Sequence, residues 1–157
     1  MSAIAISQGT KPYATFDDIE SLIRGFESGS LPRSRWTHSA HLTVACWYLV
    51  CYPLEEATRR IREGIQNYNK AVGIVTTREN GYHETMTLFW ICMVRHFLCK
   101  ATLECSLVGL INDLTSLYED RRLPFEYYSH DLLMSREARS NWIEPDLQPL
   151  PSWNRRH

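Results

Sequence analysis

Leu54-Glu55-Glu56-Ala57-Thr58-Arg59-Arg60-Ile61-Arg62-Glu63-Gly64-Ile65-Gln66-Asn67-Tyr68 carries the plainest structural pattern in the chain. Leu54, Ala57, Ile61, Ile65 and Tyr68 recur every three or four residues with charges between them, the pattern of a surface helix with one buried stripe. Pro53 suits the first turn of such a helix, because its missing N–H is not needed there. Upstream, a stretch starting at Ser34 or Thr37 and running to about Cys51 is apolar on almost every side, which predicts a helix at the centre of a bundle. Before that, Ile19, Leu22, Ile23 and Phe26 predict a first helix from near Asp17, with Phe16 ahead of its cap and Gly29 stopping it.

Downstream, Gly73 to Gly81 breaks the helical period and ends in the turn signal Asn80-Gly81. Helical spacing returns from Glu84 to Lys100, with Leu88, Ile91, Val94 or Arg95, and Leu98 on one side. It returns again from Leu103 to Tyr118, with Leu107, Leu110, Ile111, Leu114 and Leu117 read as facing inward. Short pieces follow at Phe125 to Met134 and at Ser135 to Trp142, the latter capped by Ser135. Nowhere does an apolar and polar alternation last more than a few residues. The predicted fold is all-α, an irregular bundle of five or six helices over residues 13–143. A disordered N-terminus is expected at 1–12, and an extended Pro-rich tail at 144–157, pinned by Leu150 and Trp153.

At 157 residues the chain is one domain's worth, with 44% hydrophobic and 22% charged residues, ordinary values for a folded globular protein. Seventeen Lys and Arg against 18 Asp and Glu leave a formal charge of -1, without the positive field that nucleic-acid binding draws on. Cys46, Cys51, Cys92, Cys99 and Cys105 are odd in number and lack a C-x-x-C pair, which reads as reduced thiol. Residues 1–11 show no basic segment followed by an apolar one, and Leu88 to Leu98 is too short to cross a bilayer. A cytoplasmic location, with neither membrane nor nucleic acid as partner, is the expectation.

Two segments stand out chemically: Trp36-Thr37-His38-Ser39-Ala40-His41-Leu42 and Gly81-Tyr82-His83-Glu84-Thr85. They place three of the six histidines beside apolar helical sequence, where an imidazole needs a partner. On a helix His38 and His41 share a face, so both can reach one divalent ion if His83 supplies a third ligand. Glu84 then acts as catalytic base on a metal-bound water, or as fourth ligand. The alternative set, His38, His41 and Glu84, forms a two-histidine, one-carboxylate face that suits Fe(II) as well as Zn. H-x-x-H is weak as a metal signature by itself, since the usual helical zinc pair in H-E-x-x-H is four apart. The structural alternative is a set of neutral histidines hydrogen-bonded to carbonyls or carboxylates, with Glu84 favoured in the first helical turn by the macrodipole. Trp36, Tyr68, Asn69, Arg78, Tyr82 and Thr87 are the candidate substrate-pocket residues, with Arg78 placed to clamp an anionic group.

At these residues the chain resembles an uncharacterised family of small bacterial proteins that carry a W-T-H-x-A-H-L segment early and a G-Y-H-E-T segment mid-chain. They end like Trp142-Ile143-Glu144-Pro145-Asp146-Leu147. The resemblance runs from about Phe26 to Leu150; it implies that His38, His41, His83 and Glu84 matter, and assigns neither reaction nor cofactor. Together these features predict a small metal-binding helical protein, with Zn or Fe as cofactor, acting as a metal-dependent hydrolase or Fe(II) enzyme on a small molecule. The alternative is a non-enzymatic ligand-binding or interaction module with a buried His/Glu polar network.

Overall fold

The computed structural model describes residues 11–102 and 106–151. Expectations for residues 1–10, for a helix start at Leu103, for Cys105 and for Trp153 lie outside these described residues. The described chain is all-α. Its elements are α1 (Phe16–Ser28), a 3-10 turn (Arg33–Arg35), α2 (His38–Cys51), α3 (Leu54–Ala71), α4 (Glu84–Lys100), α5 (Leu107–Leu117) and three short pieces, α6 (Pro124–Tyr127), α7 (His130–Leu133) and α8 (Arg136–Ser140). No described helix is long and apolar enough to cross a membrane.

Local chemistry sets most boundaries. Thr15 caps α1 by accepting from the Asp18 N–H while the Asp18 carboxylate accepts from the Thr15 N–H, a reciprocal capping box. Phe16 is therefore the first helical residue rather than a residue ahead of the cap, and the helix starts one place before the expected Asp17. Gly29 ends α1 at φ 73°, and a Cβ there would sit 2.7 Å from the Ala71 Cβ, so both conformation and space require glycine. Thr37, not Ser34, caps α2, and Arg33–Arg35 forms only a 3-10 turn.

α2 is apolar all round because it packs on α1, α3, α4 and α5. Ile19, Phe26, Leu42, Val44, Ile61, Ile91, Val94, Ile111 and Leu114 meet around it in the main core. Burial of an aliphatic side chain of this kind contributes about 1.5–3 kcal/mol. α4 is apolar on a second side as well. Its Phe89 and Met93 meet Tyr128 and Leu133 in a smaller cluster, separate from the main core.

Two expectations are corrected. Leu117, read as facing inward, is 62% exposed, and α5 instead buries Asn112 and Thr115 beside Ile111 and Leu114. The Asn112 amide brackets the Tyr13 backbone, accepting from its N–H at 3.2 Å and donating to its carbonyl at 2.9 Å, which satisfies this polar side chain inside the fold. The piece expected at Phe125 to Met134 is two helices broken at Tyr128 and Ser129. There the Tyr128 hydroxyl donates to the Ile143 carbonyl and the Ser129 N–H to the Asp146 carboxylate. These bonds, with the Leu147 N–H donating to Tyr127, lay the non-helical residues 141–151 back along the domain. Leu150 packs on the second cluster, as its apolar side chain among prolines suggested.

Candidate functional site

The two histidine-bearing segments fall at helix starts. Thr37 caps α2 by accepting from the Ala40 N–H, which leaves His38 in the first turn and His41 at its end. Gly81, at φ 91° and with its Cα pressed toward Thr76, closes the loop that delivers His83 to the start of α4. Three residues of helix rotate a side chain by roughly 300°, so His38 and His41 diverge by about 60° and reach different neighbours.

His38 points between α4 and α5. Its Nε2–H donates to the Tyr118 carbonyl at 2.8 Å, and its ring meets the Trp90 ring edge-on at 4.7 Å. His41 turns toward Trp36, its Nδ1–H donating to the Thr37 carbonyl at 2.8 Å and its ring lying 3.8 Å from that of Trp36. Trp36 also contacts Phe26 at 5.0 Å and Tyr68 at 4.9 Å, while the Tyr68 hydroxyl donates to the Leu31 carbonyl. This aromatic stack pins the start of α2 to α1 and α3.

His83 is the N-cap of α4 and is 6% exposed. Its Nδ1 accepts from the Met86 N–H at 3.1 Å and its Nε2–H donates to the Leu133 carbonyl at 2.8 Å, so both ring nitrogens are engaged in one neutral tautomer. Glu84, 8% exposed, faces α3. Arg62 grips it through Nε at 2.7 Å and Nη2 at 2.9 Å, and the Tyr82 hydroxyl donates to it at 3.3 Å. Thr85, fully buried, donates to the Asn141 carbonyl and accepts from the Ile143 N–H. Three consecutive side chains thus fasten α4 to α7, to α3 and to the C-terminal segment.

Burial lowers all three imidazoles below the ordinary histidine value. For His41 the shift reaches about 4, for His38 it is offset in part by the Tyr118 carbonyl, and for His83 the Arg139 guanidinium adds to it. The structure therefore holds three neutral rings in three separate settings. Among the described residues no group of three or more His, Cys, Asp and Glu side chains is arranged to hold a metal ion. Of these three rings, Nδ1 of His38 and Nε2 of His41 are the nitrogens without a hydrogen-bond partner among the described residues.

The other candidates separate too. Trp36 and Tyr68 belong to the aromatic stack. Asn69 is 7% exposed, and its side-chain oxygen is buried without a partner among the described residues. Tyr82 stands beside Glu84, the Thr87 hydroxyl donates to the His83 carbonyl, and Arg78 is exposed in the loop. Open depressions lie elsewhere. One of about 650 Å³ runs along α1 and the following turn, between Glu20, Arg24 and Arg35, and one of about 540 Å³ lies in the tail between Trp142, Asp146 and Leu150.

Sequence reading missed Arg62, which sits in the charged pattern of α3 with nothing to mark it from Arg59 or Arg60. It also missed Arg139, which donates to the carbonyls of Asn80, Gly81 and Tyr82 and clamps the loop ahead of His83. The acceptors for His38 and His83 are backbone carbonyls, which every residue carries, so no sequence signal could have named Tyr118 or Leu133. No family model, curated protein or solved structure matches the chain.

Proposed function

We propose that this chain is a non-enzymatic interaction module whose histidines and Glu84 fix how its helices meet, and whose contact with other molecules is made through its surface. The observation that carries the reading is that His83 uses both ring nitrogens on the protein's own backbone, while Glu84 is held by Arg62. In this reading the W-T-H-x-A-H-L and G-Y-H-E-T segments are junction sequences. The first joins α2 to α1, α3 and α5, and the second joins α4 to α3, α7 and the tail. A surface suited to a protein partner lies where α1 meets α2: Phe16 is 45% and Val50 51% exposed, and the Trp47 ring is 5.9 Å from that of Phe16.

A second reading keeps the metal. Nδ1 of His38 and Nε2 of His41 are uncommitted among the described residues, so a Zn or Fe(II) site built on those two rings, completed by a small-molecule substrate, is the form in which the enzyme reading stands. One experiment separates the two. Protein purified without a histidine tag is analysed for metals and melted with and without a chelator. The interaction reading predicts well under one metal per chain and a melting temperature that ignores the chelator. About one bound metal per chain, with a melting temperature that falls on chelation and a loss of both effects in His38→Ala, overturns it.

A further inference from the structure

We propose that residues 124–151 form a strap that opens from α4 as a unit of its own, while α1 to α5 stay folded, and that in its closed form the strap masks an apolar stripe of α4. This goes beyond the interaction reading and does not depend on it. The stripe is Met86, Phe89, Trp90 and Met93, at the three- and four-residue spacing that places them on one helical side. What covers it is Tyr128 and Leu133, both fully buried, with Tyr127, Leu132 and Leu150 around them. The strap's own helices are four or five residues long, too short to persist alone, so its order derives from the α4 surface.

The connections between strap and bundle are few, and most sit at the N-terminal end of α4. Among the described residues these are the His83 to Leu133 bond, the paired Thr85 bonds to Asn141 and Ile143, and the Arg139 clamp on the loop carbonyls, with one weaker bond farther along α4, from the Cys92 thiol to the Pro151 carbonyl at 3.8 Å. Within the strap, Tyr128 to Ile143, Ser129 to Asp146 and Leu147 to Tyr127 bind the pieces to one another. A body tied internally, resting on its own small cluster and joined to the rest mainly at one end of α4, is the arrangement that yields a separate cooperative opening. Opening leaves α2, α3 and α5 with their packing intact and turns an inward face of α4 outward.

Native-state hydrogen exchange on the full chain tests this. The reporters are the hydrogen-bonded amides of Tyr128, Leu133, Met134 and Asn141 in the strap, set against amides of α2 and α3. The strap amides are expected to exchange at least about tenfold faster than those of α2, with a weaker denaturant dependence. Ile61→Val, in the main core, speeds α2 and α3 by roughly two- to tenfold and leaves the strap amides unchanged. Thr85→Val, which removes two bonds at the attachment, speeds the strap by roughly tenfold or more. Strap amides that exchange in step with α2 and shift equally with Ile61→Val overturn the proposal. The wild-type and Ile61→Val comparison decides it even where Thr85→Val does not fold.

Discussion

His83 shows how much one residue can hold in place. As a cap it satisfies one of the free N–H groups at the start of α4, and as a donor it occupies the Leu133 carbonyl in a buried setting. His83→Ala loses the cap and strands that carbonyl, a cost of roughly 2–4 kcal/mol in denaturant unfolding. His83→Asn keeps a cap acceptor on a shorter side chain and recovers roughly 1 kcal/mol of it. Equal losses in the two variants, both under about 0.5 kcal/mol, contradict the assigned role. The same neutral rings set a pH dependence. His38, His41 and His83 each titrate lower folded than unfolded, so as pH falls the unfolded chain takes up protons first. Their contribution is complete above the ordinary value of 6.5 and is lost as pH drops, through about 4 for His41. Urea midpoints should therefore fall between pH 7 and pH 5, and less steeply in His83→Asn. A flat midpoint over that interval contradicts three imidazoles held neutral by the fold.

Most boundaries of the elements follow from side chains that act locally, which is why much of the helical layout was legible in the sequence. Gly29, Pro53, Asn80-Gly81 and Ser135 each mark a start or a stop, and α4 runs from Glu84 to Lys100 as its spacing indicated. Where polar side chains bind distant backbone, that legibility fails. Asn112 is buried on α5 because it holds Tyr13, 99 positions away, and no local pattern announces such a partner. The loop before α4 depends on one glycine, because a Cβ at Gly81 would lie 2.6 Å from the Thr76 Cα. Gly81→Ala should destabilise by at least about 1 kcal/mol and, by shifting His83, should loosen the N-terminus of α4. Its amides then exchange faster while those of α3 keep their order. An unchanged unfolding midpoint contradicts the need for that backbone conformation.

At the scale of the molecule, two cores share one helix: the main cluster around α2, and the smaller one in which α4 meets the strap. The choice of His38, His41, His83 and Glu84 as noteworthy positions was open to sequence reading, because polar groups set among apolar runs need partners. Their direction was not. An imidazole hydrogen-bonded to a carbonyl and one bound to a metal leave the same trace in sequence, and only the fold separates His38, turned toward Tyr118, from His41, turned toward Trp36. The central claim is that these rings act as neutral junction posts. Nitrogen-15 NMR of the imidazoles in the native chain at neutral pH tests it most directly. The geometry predicts Nε2–H tautomers for His38 and His83 and an Nδ1–H tautomer for His41, with the His83 signals unmoved by added Zn or by chelator. A charged His83, an Nδ1–H form of it, or a metal-dependent shift of its ring nitrogens would contradict the account.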